Sequence, residues 1–580
     1  MDQDKNRSVR NFFIKIGIVI LTLTSNHLLA SDSLVRQVFI NGSIHTFNSQ
    51  LDIIEAIAIK DGVIEQVGSN EEIKQIIDEH TSVINLDGKM MMPSFHDAHA
   101  HPVWSGVMAF KCVLMGINDI EMIRKKLKVC LESDLTKATG WLYAGGFNIA
   151  LFPSANPNKS FLDSISEEVP IFLSASDGHN ALVNSRALEL AEITSQTPNP
   201  EGAIIEKDPI TGEPSGTLRE PAASSLVSNL IPPDSDELQE KGLIYAQNLA
   251  HQYGITSMVA ASEGAKELTS FKRVADRGDL SLRLIACIDL GVTNFAHSRE
   301  EFESIFNNRG IYKHERMRVD CIKIFIDGVL EGQTGAVLDP YIGTDNTGIL
   351  YLSQEELNTT VSKFDSQGIQ VMTHAIGDKA VRSILDAYEY AIENNGERDN
   401  RHHISHLQLI HKKDIPRFGA LNVIANFQAA WALPDEWITL VNLPEVGLDR
   451  VNRMYPIRSV HDAGGMVAGG SDWAVSTMNP LVAIETAIRR SDPDDKIDGT
   501  LNEDEKMELT EMLKAYTING AYLMHQDNLT GSIEIGKYAD LIILEENLYE
   551  IPHEKIGEVK VIQTLLEGKT VFRLEQSYEK

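Results

Sequence analysis

Eight short apolar segments that alternate with helix-like segments constrain the fold of this 580-residue chain more than any other feature. Apolar runs of this length are typical of strands buried on both faces, and the amphipathic stretches between them are typical of helices. The segments span residues 93–101, 255–261, 282–290, 322–328, 371–377, 402–408, 423–430 and 466–472. Eight strand–helix units predict an α/β protein with a parallel (β/α)8 TIM barrel.

Two further parts surround this barrel, which we predict to span residues 91–524. Residues 102–254 separate the first strand from the second, and a connection of this length predicts an inserted subdomain over the active-site end. Short strand-like segments in residues 31–90 and 525–580 are punctuated by turns such as Asn41-Gly42 and Asp61-Gly62. We expect both chain ends to build one small β-sandwich domain, although two unrelated edge hairpins would give the same pattern.

The first 30 residues have the organisation of a signal peptide. Four basic residues precede the apolar run 16–24, and Ala30 provides a small residue at the expected cleavage point. A run this short does not comfortably span a bilayer. The pattern predicts an exported protein, periplasmic or secreted, with an uncleaved N-terminal anchor as the alternative.

The charge balance limits the classes of partner. The chain has 52 Lys and Arg residues against 83 Asp and Glu residues, which gives a formal net charge of −31. A protein this acidic is repelled by nucleic acid and by anionic membrane surfaces. We therefore expect a small-molecule substrate as the partner, and the sequence leaves the oligomeric state open.

The four cysteines are too few for a disulfide scaffold or a Cys-rich zinc module. Export would expose them to an oxidising compartment, where Cys112 and Cys130 flank a short helical stretch and could pair. Cys287 and Cys321 lie within apolar strand segments, and we interpret them as small buried residues.

The first strand segment ends in His96-Asp97-Ala98-His99-Ala100-His101. Side chains two positions apart on a strand share a face, so His99 and His101 can direct two imidazoles at one point. That is a metal-ligand arrangement, although two buried structural histidines would have the same spacing.

Four more polar residues lie within or at the end of other barrel segments: Lys323, His374, His406 and Asp472. The carboxyl ends of parallel barrel strands meet at one face, so these side chains are expected to converge with the histidine pair. A lysine among apolar neighbours is costly to bury unless it is paired or modified. Carboxylation by CO₂ would convert the Lys323 amine into a carbamate, whose two oxygens can bridge two metal ions. Asp472 would then act as the proton acceptor and donor.

These segments resemble the amidohydrolase superfamily, and most of all its YtcJ-like branch, which includes the N-substituted formamide deformylases. The resemblance rests on residues 92–101, Asp177-Gly178-His179 with Asn184-Ser185, 323–328, 373–378, 455–459, 469–473 and 531–541. It implies that His99, His101 and Asp472 bind one metal, that His374 and His406 bind the other, and that carboxylated Lys323 bridges them. Ser94 stands where the family more often has Gly, and Glu220 is an alternative carboxylate ligand.

Three other residues are weaker candidates for substrate contacts: His179, Asn184 and Trp473. The two residues from the insertion could equally serve core hydrogen bonding. Trp473 directly follows Asp472 and is a candidate pocket wall.

The sequence thus predicts a metal-dependent hydrolase of non-peptide C–N bonds, such as an amide, a formamide or a related N-acyl compound. The expected cofactor is a pair of Zn²⁺ ions, with Fe²⁺, Mn²⁺ or Co²⁺ able to use the same ligands. The alternatives are an esterase or lactonase with the same site, a mononuclear deaminase and a catalytically silent binding barrel.

Overall fold

The eight predicted strands pair in chain order in one parallel sheet that curls into a barrel. The computed structural model describes residues 36–293 and 297–575, so the predicted signal peptide lies outside the described residues. The barrel strands are Phe95–Ala100, Ile255–Glu263, Arg283–Asp289, Met317–Phe325, Gln370–Ala375, His403–His406, Ile424–Phe427 and Val467–Gly469. The predicted fold class is confirmed.

Backbone hydrogen bonds join the last strand to the first. The Asp472 amide donates to the His99 carbonyl at 2.7 Å, and the His101 amide donates to the Trp473 carbonyl at 3.0 Å. These contacts bring the carboxyl ends of the two strands together, and with them the residues predicted to hold a metal.

Amphipathic helices surround the barrel. In Ala265–Asp276, for example, Leu268, Phe271 and Val274 are buried at helical spacing, as expected for a helix that packs on a sheet. The longer helices of this layer are Asp236–Gln252, Ala265–Asp276, Arg299–Asn308, Gln354–Ser366, Asp378–Asn395 and Pro480–Arg489. Shorter ones are Pro102–Met108, Ile415–Ala420, Leu443–Val446, Leu448–Val451, Ile457–Asp462, Leu509–Ala515 and Ile518–Leu523.

The long first connection begins and ends in helices of this outer layer. Helices Pro102–Met108 and Asp236–Gln252 pack so closely that a Cβ atom on Gly106 would lie 2.0 Å from the Gly242 carbonyl oxygen. Between them lies a separate sheet, with strands in the order Ile204–Lys207, Pro214–Arg219, Asn180–Val183, Ile171–Ala175, Leu142–Phe147 and Cys112–Val113. Its helices are Ile120–Leu131, Asp134–Thr139, Ser160–Asp163, Ser185–Leu190 and Pro221–Ser228.

The two chain ends form a pair of sheets that share one apolar core. The four-stranded sheet has the order Val63–Gly68, Ala56–Lys60, Gln37–Ile40 and Ser82–Asn85, and helix Asn70–Lys74 follows its first hairpin. The six-stranded sheet has the order Lys569–Arg573, Val561–Leu566, Leu541–Leu544, Met90–Pro93, Ser43–His45 and Ile53–Ile54. Phe39 and Ile57 of the first sheet pack with Met91, Leu541 and Leu565 of the second.

Both cysteine pairs are bonded. Cys112 is joined to Cys130, the pairing that the sequence left open. Cys287 and Cys321 are buried, as predicted, but they are joined to each other by a bond that was not predicted. They lie opposite each other on adjacent barrel strands, a register that their separation of 34 residues does not reveal. Within the described ranges, no helix has both the length and the apolar character needed to span a membrane.

Candidate metal centre

The first and last barrel strands bring two histidines against one carboxylate. His99 Nε2 lies 3.3 Å from Asp472 Oδ1, and His101 Nε2 lies 3.1 Å from the same oxygen. The predicted alternation on the first strand therefore does direct both imidazoles at one point.

The sixth strand adds His406 to this group. One ligand atom from each of His99, His406 and Asp472 lies within 4.8 Å of the others, and all three side chains are buried. Among the described residues, neither ring nitrogen of His99 makes a hydrogen bond, and neither does His406 Nδ1. Buried polar atoms normally have a partner, so these nitrogens fit a metal ion as the missing partner.

His374, on the fifth strand, lies beside His406 with their ring centroids 4.5 Å apart. Its Nε2 lies 3.1 Å from the Gly328 carbonyl oxygen, which can only accept a hydrogen bond. Nε2 must therefore carry the proton, and the lone pair of the neutral ring is on Nδ1. A backbone carbonyl that fixes the tautomer is a common support for a metal-binding histidine.

Lys323 is 1% exposed and lines the same cavity as the four histidines and Asp472. Its ammonium lies 4.6 Å from the centre of the Phe325 ring, and no carboxylate of the described chain lies within ion-pair distance. Burial lowers the pKa of Lys323 to about 8. The neutral amine, the form that reacts with CO₂, therefore becomes populated at a lower pH than in an exposed lysine.

The electrostatics suit a cation. Burial lowers the pKa of His406 to about 3 and holds the pKa values of His99 and His374 well below the ordinary value. Burial alone would raise the pKa of Asp472, but the hydrogen bond from His101 and the charges of its neighbours outweigh it and lower that pKa. Neutral imidazoles around an ionised carboxylate form a donor set that Zn²⁺ and similar ions bind.

Two of these residues adopt unusual backbone conformations. His406 has φ 80° and Asp472 has φ 51°, both in the left-handed region. Non-glycine residues pay to adopt this conformation, and such strain concentrates at functional sites because the surrounding fold imposes it. Here it coincides with two of the three residues whose ligand atoms lie within 4.8 Å of one another.

All six predicted ligands line one cavity of about 350 Å³ at the carboxyl end of the barrel. Trp104, Trp431 and Trp437 form part of its wall, and the Trp431 ring stacks parallel on His406 with centroids 5.5 Å apart. These tryptophans were not among the residues predicted from the sequence. Trp104 lies in the short helix Pro102–Met108, and Trp431 and Trp437 lie in the short helical turns Ala429–Trp431 and Trp437–Asn442. These elements are too short for a periodic pattern to indicate which side chains face the site.

Asp97 is another residue that the sequence analysis did not single out. Its carboxylate accepts hydrogen bonds from the backbone of His99 and from the backbone and hydroxyl of Ser471. It thereby ties the first strand to the segment that carries Asp472. The one indication in the sequence was that Asp97 lies in the same short run, residues 96–101, as His99 and His101.

Glu220 lies in the second layer of the cavity wall and is fully hydrogen-bonded. It accepts from His179 Nδ1 at 2.7 Å, from the Tyr351 hydroxyl at 2.9 Å and from Thr334. The salt bridge with His179 opposes the burial penalty and lowers the pKa of Glu220. Of this pair only His179 lines the cavity, so the geometry favours Lys323 over Glu220 as the residue beside the histidines.

Asn184 and Trp473 do not line the cavity. The Asn184 side chain caps helix Ser185–Leu190 by accepting from Ala187 N at 3.0 Å, and its amide donates to the Ser166 and Val169 carbonyls. Trp473 instead stacks on Tyr245, with ring centroids 6.4 Å apart.

Replacing Asn184 with Ala should destabilise the protein without changing the Michaelis constant. Loss of the helix cap and of the buried amide partners is expected to cost about 1–2 kcal/mol. Urea unfolding and steady-state kinetics measure the two effects. A raised KM at unchanged stability would instead assign Asn184 to substrate binding.

Three known proteins match this chain over nearly its whole length. Protein LONG AFTER FAR-RED 3 of Arabidopsis thaliana is 32% identical over 92% of this chain and 91% of its own length. YtcJ of Bacillus subtilis and the N-substituted formamide deformylase of Arthrobacter pascens are each 26% identical over 93% of this chain, and over 99% and 98% of their own lengths. The resemblance in the sequence is confirmed.

A solved structure supports the fold. An uncharacterized metal-dependent hydrolase from Pyrococcus horikoshii superimposes with a TM-score of 0.70 at 23% identity, over 89% of this chain and 99% of its own. The amidohydrolase family model Amidohydro_3 matches residues 82–572, which include the whole barrel and all six predicted ligands. The chain therefore belongs to the amidohydrolase family.

Proposed function

We propose that this protein hydrolyses a non-peptide C–N bond, in an amide, a formamide or a related N-acyl compound, with the help of two bound divalent metal ions. One observation carries the proposal. Ligand atoms of His99, His406 and Asp472 lie within 4.8 Å of one another, in a cavity that His101, Lys323 and His374 also line. Among the residues that the structure describes, the buried ring nitrogens of His99 and His406 Nδ1 have no hydrogen-bond partner.

Divalent ions bound by these residues would supply an activated water nucleophile and polarise the substrate carbonyl. His99, His101 and Asp472 would hold one ion, and His374 and His406 the other. A carbamate on Lys323 would bridge them, since the amine is buried and has a depressed pKa.

We assign the transfer of the proton to Asp472. Its Oδ1 faces His99 and His101, while its Oδ2 lies 3.8 Å from His406 Nδ1. As an ionised carboxylate it can accept the proton of the attacking water and then protonate the departing amine. Without that protonation an amine is a poor leaving group.

The same residues would also cleave an ester or a lactone, because these substrates differ from an amide mainly in the leaving group. The formamide deformylase among the relatives favours the C–N bond as the first substrate class to test. The alternative is a site with one metal ion, which would be bound by His99, His101, His374 and Asp472 while Lys323 stays unmodified.

Removal of the metal should abolish hydrolysis. The protein is treated with 1,10-phenanthroline, dialysed and assayed on a panel of N-formyl and N-acetyl amines and the matching esters. We expect activity on the amides to be lost and then restored by Zn²⁺, Mn²⁺ or Co²⁺ together with bicarbonate. Full activity in the metal-free protein would refute the proposal, and turnover of the esters alone would move it to the esterase class.

We also propose export from the cytoplasm. The basic and apolar pattern of the first 30 residues supports it, as do the bonds Cys112–Cys130 and Cys287–Cys321. Disulfides persist in oxidising compartments such as the periplasm. Fractionation of the producing cells, with N-terminal sequencing of the recovered protein, tests both export and cleavage.

A further inference from the structure

The cavity wall beside the second barrel strand carries a carboxylate that the proposed chemistry does not use. Glu263 is the last residue of strand Ile255–Glu263, is 3% exposed and lines the same cavity as the six proposed ligands. Within the described ranges, its carboxylate makes no hydrogen bond and no ion pair. A buried carboxylate without a partner is costly, and it indicates a group that arrives from outside the chain.

The other carboxylates of the cavity wall outside the metal centre are already satisfied. Each accepts at least one hydrogen bond: Asp177 from His179 N, Glu267 from Gly264 N, Glu331 from Asn442 Nδ2, and Asp435 from Ile438 N. Glu263 differs from these carboxylates because it is buried and accepts no hydrogen bond from the described residues.

The surroundings of Glu263 are acidic, and the nearby cation is already paired. His297 Nδ1 lies 3.3 Å from Glu301 Oε2, and its Nε2 lies 3.9 Å from Glu267 Oε2. Burial, together with the charges of Glu267 and Asp289, raises the pKa of Glu263 well above its ordinary value. A cation that enters the cavity would offset both the burial of the Glu263 carboxylate and its repulsion by the neighbouring acidic groups, so binding of a cation would be favourable there.

The rest of the wall suits an apolar linker. The aromatic side chains Trp104, Phe325, Trp431, Trp437 and Tyr455 line the cavity, and Lys323 is the one lysine or arginine of the described chain that does so. Aromatic faces accommodate hydrocarbon, and their negative potential also favours a nearby cation.

We propose that the substrate is the N-acyl derivative of a diamine, whose free protonated amino group binds at Glu263 while its acyl group reaches the metal centre. This inference names the substrate class of the proposed hydrolase and therefore rests on the proposed function. Glu263 acts here as a specificity residue, since it contacts the substrate away from the bond that breaks.

Matched substrates and a charge-removing variant test it. The charged probe is mono-N-formyl-1,4-diaminobutane, and the uncharged probe is N-formylpentylamine, in which a methyl group replaces the ammonium. We expect the parent protein to favour the charged probe by about tenfold in kcat/KM, and Glu263→Gln to lose about tenfold on that probe alone, which removes the preference. The variant Glu303→Gln removes the same charge from an exposed position of helix Arg299–Asn308 and should change neither value.

A binding measurement separates this inference from the proposed function. Calorimetry compares n-pentylammonium with 1-pentanol on the parent, Glu263→Gln and Glu303→Gln, with circular dichroism as a check that each is folded. Preference for the ammonium in the parent and its loss only in Glu263→Gln supports the inference even if no amide is cleaved. If the parent binds the two probes equally, the inference is wrong; this is also the result expected if Glu263 is protonated and only donates a hydrogen bond. A preference for the ammonium that survives in Glu263→Gln would overturn the inference as well.

Discussion

Asp472→Asn should reduce kcat by about 10³-fold while most of the bound metal stays in place. Asn has nearly the same size as Asp and keeps one oxygen that can bind a metal ion, so the contacts with His99 and His101 are largely preserved. It has no charge and cannot accept the proton of the attacking water. Stopped-flow or steady-state kinetics give kcat, and elemental analysis of the same preparation gives the metal content.

The control for this variant is Asp449→Asn, which makes the same change in charge at an exposed position of helix Leu448–Val451. Its kcat and metal content should equal those of the parent. If Asp472→Asn retained near-normal kcat with its metal bound, Asp472 would be a ligand only, and the proton would need another acceptor. Metal loss in parallel with the loss of kcat would likewise remove the evidence for proton transfer.

The barrel could be predicted from the sequence because its signal is local. Each strand is a short apolar run, and the helices between them bury residues at regular spacing, as Leu268, Phe271 and Val274 do. The bond between Cys287 and Cys321 was missed for the opposite reason. It depends on which residues of two neighbouring strands lie opposite each other, and apolar runs without polar alternation do not fix that register.

The residues of the candidate site could be predicted where the barrel geometry alone determines their position, at the carboxyl ends of the strands. His99, His101, Lys323, His374, His406 and Asp472 were all expected at the carboxyl end of the barrel, and all line one cavity there. Residues from loops and from the insertion were not predictable in this way. Asn184 has a polar side chain that could bind substrate, but it caps a helix instead. Glu263 was not predicted, because only the fold shows that it is buried in the cavity wall without a hydrogen-bond donor among the described residues.

Lys323→Ala should lower the metal content from about two ions per chain to about one and reduce kcat/KM by at least about 10²-fold. Alanine removes the only side chain proposed to bridge the ions and leaves a space where a carbamate would lie. His99, His101 and Asp472 still offer three ligands to one ion. Elemental analysis of parent and variant, both prepared with Zn²⁺ and bicarbonate, measures the change.

The matched control is Lys363→Ala, which removes an exposed lysine from helix Gln354–Ser366 and should leave metal content and activity unchanged. A short carboxylate such as formate or propionate, added to Lys323→Ala, should restore part of both quantities, because it can supply two bridging oxygens in the vacated space. About one ion in both parent and variant would favour the mononuclear site and leave Lys323 as an unmodified wall residue. Two ions in both would mean that another group bridges them. The carbamate hypothesis therefore requires both the loss of one ion and its recovery with an added carboxylate.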